Sequence, residues 1–334
     1  MHSFRQWLLL IPVCLFSIFS ACKQDQADDK DTQSADTADV QNGDTAVAVN
    51  LNSPVADEEV LLRLKPAVGT VFIVENSSNF SSDETMDTLR IKASSTKWIK
   101  AKLVVKESTE ELVKLEFTVT DARKTVKDDS GTLTYNYGKP MSNPDDETNR
   151  KIEDCLVNAP LTLLMSPKGE STDVEGYEKI IKKIKDIVGA QVPEQMIAAN
   201  VGSPTDNLEY YFVNYPDNPV KIGDTWSFDA PSVLQGVPII LATTYTLADR
   251  KEGVAYINFN TVVSVDKSQL PPEMAAEVDK IKFNAGLNGT GQIDEATGWP
   301  IVMKVHQYMQ VSDSYQGMST SSKQDGNTTI RWVK

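Results

Sequence analysis

The stretch Lys97–Arg123, "KWIKAKLVVKESTEELVKLEFTVTDAR", decides the fold class of this chain. Its two runs, Lys97–Ser108 and Leu112–Arg123, alternate apolar and polar residues around β-branched positions, which is typical of strands with one buried face. The short polar connection between them suits antiparallel neighbours. The stretch therefore predicts an antiparallel hairpin with one mainly apolar face.

The same alternation continues on both sides of this hairpin. It is clear in residues 69–80 and 88–93 and, after the middle of the chain, in "LEYYFVNYP" (208–216), "PIILATTYTLADR" (238–250) and "GVAYINFNTVVSV" (253–265). Glycine turns are predicted at Gly169 in "SPKG" and at Gly298 in "DEATG". We therefore predict a mainly β (α+β) fold, built as a curved antiparallel sheet or half-barrel.

A few amphipathic helices are expected on the concave side of this sheet. The clearest is "YEKIIKKIKDIVGA" (177–190), where Tyr177, Ile180, Ile181 and Ile184 fall on one stripe and lysines fill the other face. Shorter helices are predicted within residues 143–159, 193–202 and 271–281.

The two halves of the chain show a weak internal similarity. Residues 65–74, 100–120 and 161–176 resemble 218–228, 241–263 and 289–305, in the same order. One interpretation is a duplicated β unit, with repeats 58–190 and 205–334 inside a single domain of residues 58–334. The other is that any two antiparallel meanders look alike.

The N-terminus predicts the location of the protein. Trp7–Phe19 is a short apolar run after a basic start, as in a secretory signal peptide, and it is too short to span a bilayer. "FSAC" (19–22) resembles the lipobox of bacterial lipoproteins, although Phe19 stands where leucine is usual. That resemblance implies a signal peptide of residues 1–21, cleavage before Cys22, and fatty acyl chains, palmitate among them, on Cys22.

Residues 22–57 are predicted to be a disordered acidic tether, because they lack aromatic residues and carry few large apolar ones. Lys23 follows the cysteine where an aspartate would favour the inner membrane, so the resemblance implies the outer membrane, facing the periplasm. The acyl chains would make the membrane a partner. The net charge of −14 argues against nucleic acid as a partner of the globular domain.

No catalytic constellation is visible in the sequence. Only two histidines are present, His2 and His306, which argues against a histidine-based metal site and against a serine-histidine-aspartate triad. Cys155 is expected to be a buried small residue. We therefore predict no enzyme activity, no metal and no cofactor.

Four segments carry a resemblance to a known family: "LLRLKPAVGTVF" (61–72), "PLTLLMSPKGESTDVEG" (160–176), "VKIGDTWSF" (220–228) and "TGQIDEATGWPI" (290–301). They resemble DUF6263, a family of uncharacterised bacterial secreted or lipid-anchored proteins, which implies no established activity. By architecture alone, the predicted sheet with helices is also similar to the LolA/LolB and LppX-like periplasmic carriers.

The function expected from these observations is a lipid-anchored, non-enzymatic module that binds a lipid or another apolar ligand. The alternative is a structural or scaffolding envelope lipoprotein that binds another protein. If the helices cover a cavity, its lining is predicted to include Tyr177, Ile180, Ile181, Ile184, Trp226 and Trp299. For the two tryptophans, core packing is the competing interpretation.

Overall fold

The computed structural model describes residues 58–141, 147–189, 211–234, 237–278, 281–315 and 318–333. The signal peptide, Cys22 and the tether predicted for residues 1–57 lie outside these ranges, as does the helix predicted for 193–202. Within the described ranges the chain forms twelve strands. They are β1 (Val71–Met86), β2 (Leu89–Ser108), β3 (Val113–Asp128), β4 (Gly131–Asn136), β5 (Pro160–Met165), β6 (Ser171–Glu175), β7 (Thr225–Leu234), β8 (Val237–Lys251), β9 (Val254–Val265), β10 (Lys282–Asp294), β11 (Pro300–Tyr315) and β12 (Met318–Val333).

Three α-helices occur in the described residues: α1 (Glu147–Asp154), α2 (Tyr177–Val188) and α3 (Pro272–Val278). Each lies within a segment predicted to be helical. Helix α2 follows Gly176, whose φ is 99°, and ends at Gly189, whose φ is 92°. Glycine reaches these positive φ angles without strain, so both ends of α2 are set by residue type. None of the helices in the described ranges has the length and apolar character needed to cross a bilayer.

All the strands belong to one antiparallel sheet that curves without closing. Its order is β6-β5-β3-β2-β1-β12-β11-β10-β9-β8-β7, and β4 pairs with the distal half of β3. The first strand therefore pairs with the last, and two meanders, β1–β6 and β7–β12, lie side by side and run in the same direction. The predicted fold class is confirmed.

The two faces of the sheet differ in chemistry. Successive side chains of a strand point to opposite faces, so the register of the pairs assigns every residue to one of them. We call the face that carries Phe72, Leu103 and Ile257 the inner face, and the opposite one the outer face. At the outer face, neighbouring strands present mainly hydroxyl, amide and charged side chains, as in the cross-strand pairs Asn79–Asn327 and Thr96–Thr125.

One end of the inner face is filled by a packed core. Inner-face residues of both meanders are buried there under Leu62 and Leu64, which precede β1, and under Phe212 and Val213, which precede β7. Helix α2 adds Ile180, Ile181 and Ile184 from one side. Phe72 stacks on Trp299 with ring centroids 4.0 Å apart. Side chains of the sheet, of the two segments that precede β1 and β7, and of helix α2 therefore fill the core together.

The two segments before β1 and β7 are held by hairpin turns. Lys65 N donates to the carbonyl of Thr297 at 2.7 Å, and Tyr215 N donates to the carbonyl of Lys168 at 2.7 Å. The segments also bond to each other, through reciprocal hydrogen bonds of 2.8 and 3.0 Å between Val60 and Val220. The strand predicted for 208–216 is wrong where the structure describes it, at 211–216, because this segment crosses the core and does not pair along the sheet.

Candidate ligand-binding face

The six residues predicted to line a cavity all lie in or against the packed core. Ile180, Ile181, Ile184 and Trp299 are buried in it, and Tyr177 and Trp226 are half-buried against it. The Trp226 Nε1 donates to the carbonyl of Asn214 at 2.7 Å, whereas the Trp299 Nε1 is buried without a hydrogen-bond partner. The core brings the six residues into one cluster, and their role as ligand-cavity lining stays a prediction.

The inner face of the second meander becomes apolar again beyond a mixed row of Thr243, Thr261, Leu287 and Gln307 that follows the packed core. Leu241, Val263, Ala285 and Met309 face one another in register on β8, β9, β10 and β11. Phe283 and Val311 form the next pair outward on β10 and β11. We call these six residues the apolar track. Leu241, Ala285 and Met309 are buried, and the other three are half-buried.

The track ends in polar residues at the centre of the sheet. On β12, Gln324 faces Met309 and Ser322 faces Val311. On β1, Ser82 faces Gln324 and Glu84 faces Ser322. We call Ser82, Glu84, Ser322 and Gln324 the polar block. Directly opposed residues of an antiparallel pair have Cβ atoms about 5 Å apart, so these four side chains form one compact group.

Two of the four residues of the polar block are buried, and Glu84 and Gln324 are half-buried. Ser322 is 1% exposed and Ser82 is 6% exposed. The Ser322 hydroxyl has no hydrogen-bond partner, and no described hydrogen bond or ion pair involves the Glu84 carboxylate. Burial raises the pKa of Glu84 above its usual value. Buried polar groups are normally satisfied, so the unpartnered Ser322 hydroxyl needs an explanation beyond packing.

The corresponding region of the first meander is polar and is closed by charges. Lys124 on β3 forms an ion pair of 3.6 Å with Glu153 on α1, and the Tyr135 hydroxyl on β4 donates to Asp154 at 2.7 Å. Lys97 on β2 lies directly opposite Lys124 and is exposed. An apolar molecule would find no continuous apolar surface here.

A shallow groove of about 420 Å³ lies over β1, β2, β3 and β12. Ser77, Asn79, Thr96 and Trp98 contribute to its lining from the outer face. The Arg123 guanidinium lies 4.8 Å from the centre of the Trp98 ring. The groove is open and polar, and the guanidinium occupies the position from which a ligand would stack on the tryptophan.

Within the described ranges, no three His, Cys, Asp or Glu side chains converge in a way that could hold a metal ion. His306 lies on the outer face and bonds through Nε2 to Asp325 at 3.0 Å. The described side chain of Cys155 is half-buried and its thiol is free.

Sequence reasoning missed the apolar track and the polar block. Alternation predicts that Ser82 and Glu84 share a face, but it gives no partner strand. Only the pairing of β1 with β12, which joins the two ends of the domain, brings Glu84 opposite Ser322.

A comparison with family models places this chain. Residues 110–300 match the model of DUF6263, a family of unknown function. The chain belongs to the DUF6263 family. The resemblance seen in the sequence is thereby confirmed, and the DUF6263 match brings no reaction or ligand with it. No curated protein matches the sequence.

The comparison with solved structures gives matches of low identity with TM-scores below 0.5. Lipovitellin, described by its lipid–protein interactions, is 11% identical, with 80% of this chain and 25% of that chain covered and a TM-score of 0.48. This chain thus spans a quarter of the lipovitellin chain. OccK5 (OpdH) from Pseudomonas aeruginosa is 8% identical, with coverages of 79% and 98% and a TM-score of 0.22. DynF from the dynemicin pathway of Micromonospora chersina is 6% identical, with coverages of 82% and 86% and a TM-score of 0.18.

Proposed function

We propose that this DUF6263 protein is a non-enzymatic module that binds a molecule with an apolar body along the apolar track. The observation that carries the proposal is the apolar patch at the far end of the inner face, in register across four strands of the second meander. At about 4.8 Å per strand spacing, the track is about 14 Å long. One leaflet of a bilayer has a hydrocarbon thickness of about 15 Å, so an acyl chain fits the track in length.

The chemistry of the track supports an apolar occupant. Its side chains are aliphatic, aromatic and thioether groups, and the half-buried ones, Val263, Phe283 and Val311, would gain free energy by leaving water at roughly 25 cal/mol per Å². The rim of the same face exposes Met86, Leu89 and Ile91 at the end of the β1–β2 hairpin. These exposed apolar side chains lie next to the polar block and extend the route by which an amphiphile would approach.

The experiment compares charge insertion at two adjacent residues of β11. Val311→Asp places a carboxylate in the track, whereas Gln310→Asp places one on the outer face of the same strand. We expect the protein to bind a fluorescent fatty-acyl probe, Val311→Asp to weaken this binding about tenfold or more, and Gln310→Asp to leave it unchanged. Circular dichroism and thermal melting establish that both variants fold. An absence of probe binding by the folded wild-type protein, or equal binding by both variants, contradicts the proposal.

We also propose that the protein is lipid-anchored through Cys22 at the bacterial cell envelope, on the periplasmic side of the outer membrane. The support is the "FSAC" segment after a short apolar run, followed by a stretch poor in core-forming residues. Cys22→Ser should release the protein from the membrane fraction, and the mature wild-type chain should begin at Cys22. Membrane partitioning of Cys22→Ser in the absence of ligand would overturn this part of the proposal.

A second candidate function is docking on another envelope protein, and the exposed hairpin end favours it. Met86 and Leu89 are each more than half exposed, and a contiguous apolar end is a typical protein contact. A double change of Met86 and Leu89 to Ser distinguishes the two. Loss of a stoichiometric protein partner with unchanged probe binding supports docking, and the reverse result supports ligand transfer through this rim.

A further inference from the structure

We propose that the ligand carries a hydrogen-bond-donating end group without negative charge, and that Glu84 and Ser322 hold this group. The proposal rests on the function proposed above, because the polar block lies at the end of the apolar track. It adds the chemical class of the ligand: an apolar chain that ends in hydroxyl or amine groups, as opposed to a fatty acid or a phosphate-bearing lipid.

The register fixes where the end group would lie. Glu84 on β1 and Ser322 on β12 are directly opposed, and Ser322 is also opposed to Val311 of the track on β11. On the other side, Glu84 faces Ile91 and Ser82 faces Ala93 on β2. The polar block is therefore flanked by apolar side chains on both sides, and a molecule lying across the strands meets it after about one further strand spacing beyond Met309.

The hydrogen-bonding state of the block indicates what is needed there. The Ser322 hydroxyl is buried and unpartnered, and it can both donate and accept. The Glu84 carboxylate, when ionised, can only accept. An end group that donates to Glu84 and accepts from Ser322 would satisfy both side chains at once, and a buried polar group left unpaired costs about 1–3 kcal/mol.

The surrounding charges select against anions. The cations nearest along the strands, Arg90 and Lys92, lie one position away from inner-face residues and so point to the outer face, where they pair with Asp83. Lys323 on β12 is likewise an outer-face residue opposite Asp83. On the inner face, the next residue outward on β11 is Asp313, another acid. Among the described residues, the cations nearest to Glu84 on β1, β2 and β12 thus lie on the outer face, and a carboxylate or phosphate beside Glu84 would meet its like charge.

The burial of Glu84 agrees with this assignment. In the ligand-free protein, desolvation raises the pKa of the Glu84 carboxyl. A donor on the ligand would favour the ionised carboxylate and restore part of the lost solvation. A second negative charge at this desolvated position would be unfavourable. Desolvation thus both raises the pKa of Glu84 and disfavours an anionic ligand.

The experiment uses three ligands with hydrocarbon chains of the same carbon number and with different end groups: monopalmitoylglycerol, hexadecylamine and palmitate. Binding to the wild-type protein is measured by displacement of the fluorescent probe at about pH 8, where palmitate in water is ionised. The variants are Glu84→Gln and Ser322→Ala, and the control is Glu75→Gln on the outer face of β1. Thermal melting establishes that each variant folds.

We expect monopalmitoylglycerol and hexadecylamine to displace the probe about tenfold more effectively than palmitate. Ser322→Ala should weaken the binding of both monopalmitoylglycerol and hexadecylamine, because the hydroxyl can donate to a glycerol oxygen and accept from an amine. Glu84→Gln should weaken the binding of hexadecylamine most and strengthen the binding of palmitate. Glu75→Gln should leave the binding of all three ligands unchanged. If palmitate displaces the probe as well as the other two ligands, the assignment of the end group is wrong while the proposed function stands. If no ligand and no probe binds, the proposed function fails first.

Discussion

The two meanders begin with the same backbone arrangement and then differ in what they place on the inner face. Gly69 N donates to the carbonyl of Val105 at 2.8 Å, and Gly223 N donates to that of Leu247 at the same distance. The return bonds, Val105 N to Thr70 O and Leu247 N to Asp224 O, both measure 3.0 Å. The next hairpin carries a β-bulge at the same place in each meander, after Val105 and after Leu247.

The difference lies beyond the packed core. In the first meander the inner face turns polar and is closed by the Lys124–Glu153 ion pair. In the second meander a row with Thr243 and Thr261 comes first, and beyond it the inner face is apolar at Leu241, Val263, Ala285 and Met309. One backbone arrangement thus supports both a closed charged surface and an apolar track. The matches fit the predicted duplication, which stays a prediction. The packed core is common to both meanders, whereas the proposed ligand site lies on the second alone.

The largest expected effect is a loss of stability when either of the two turn glycines, one in each meander, is replaced. Gly169 has a φ of 87° and Gly298 a φ of 62°. A Cβ at either would lie 2.0 Å from a backbone oxygen of a covering segment, that of Val213 or that of Arg63. We expect Gly169→Ala and Gly298→Ala each to lower the free energy of unfolding by about 4 kcal/mol, from backbone strain and steric overlap together. Urea unfolding measures it.

The matched control for this prediction is Gly253→Ala. Gly253 has a φ of 76°, and no atom lies within 4 Å of its Cβ position. The control should therefore lose only the conformational term of about 1–2 kcal/mol. If either turn glycine tolerates alanine as well as Gly253 does, the two turns do not hold the covering segments equivalently.

A smaller effect on stability should distinguish the ion pairs at these two turns. Arg250 bonds to Glu295 at 2.8 and 3.0 Å and to the carbonyl of Glu58 at 2.6 Å, and its side chain is 8% exposed. The Lys168–Asp217 pair of the other turn is solvated. Glu295→Ala should cost about 3 kcal/mol because it leaves a buried guanidinium without its carboxylate, and Lys168→Ala should cost less than about 1 kcal/mol.

The control for the buried pair is the double variant Arg250→Met, Glu295→Leu. Apolar replacement of both partners removes the unpaired charge, so the double variant should recover most of the stability lost in Glu295→Ala. Equal losses in the single and double variants would show that packing, and not the charge pair, stabilises this turn.

Much of the fold could be predicted because it depends on local rules. Alternation specifies which residues of β2 and β3 face inward whatever strand lies beside them. The spacing of Ile180, Ile181 and Ile184 specifies the buried stripe of α2. The turn at Gly298 was predicted because few residues other than glycine accept its φ.

The remainder depends on long-range pairing that no local rule gives. Residues 211–216 alternate like a strand, but their aromatic side chains cover the core. Whether such a segment joins the sheet or covers the core depends on which sheet edges and core surfaces the rest of the chain leaves unoccupied. The polar block depends on the pairing of β1 with β12, about 240 residues apart in sequence. Sequence periodicity therefore could not place Glu84 opposite Ser322.

A still smaller effect, of opposite sign in the two cases, contrasts an unsatisfied hydroxyl with a satisfied one. Ser322 is buried without a partner, whereas Thr243 and Thr261 are buried and bond to each other at 2.9 Å. Ser322→Ala should stabilise the ligand-free protein by about 1 kcal/mol, and Thr243→Val should destabilise it by about 1 kcal/mol. Denaturant unfolding checks both. A loss of stability in Ser322→Ala would mean that the hydroxyl has a partner in the free protein.

The smallest effect concerns the pH dependence of stability. Burial raises the pKa of Glu84, so the folded state binds this proton more tightly than the unfolded state does, and wild-type stability falls as pH rises from the ordinary value of 4.5 through the folded value. Glu84→Gln should therefore raise the Tm near pH 7 and leave it unchanged in acid. Asp128 is the control, because its hydrogen bonds from Ser130 lower its pKa. Asp128→Asn should lower the Tm near pH 7 and lose this effect as pH falls through the folded pKa. Two variants that shift the Tm with the same sign would contradict the assignment of Glu84 as a desolvated carboxyl.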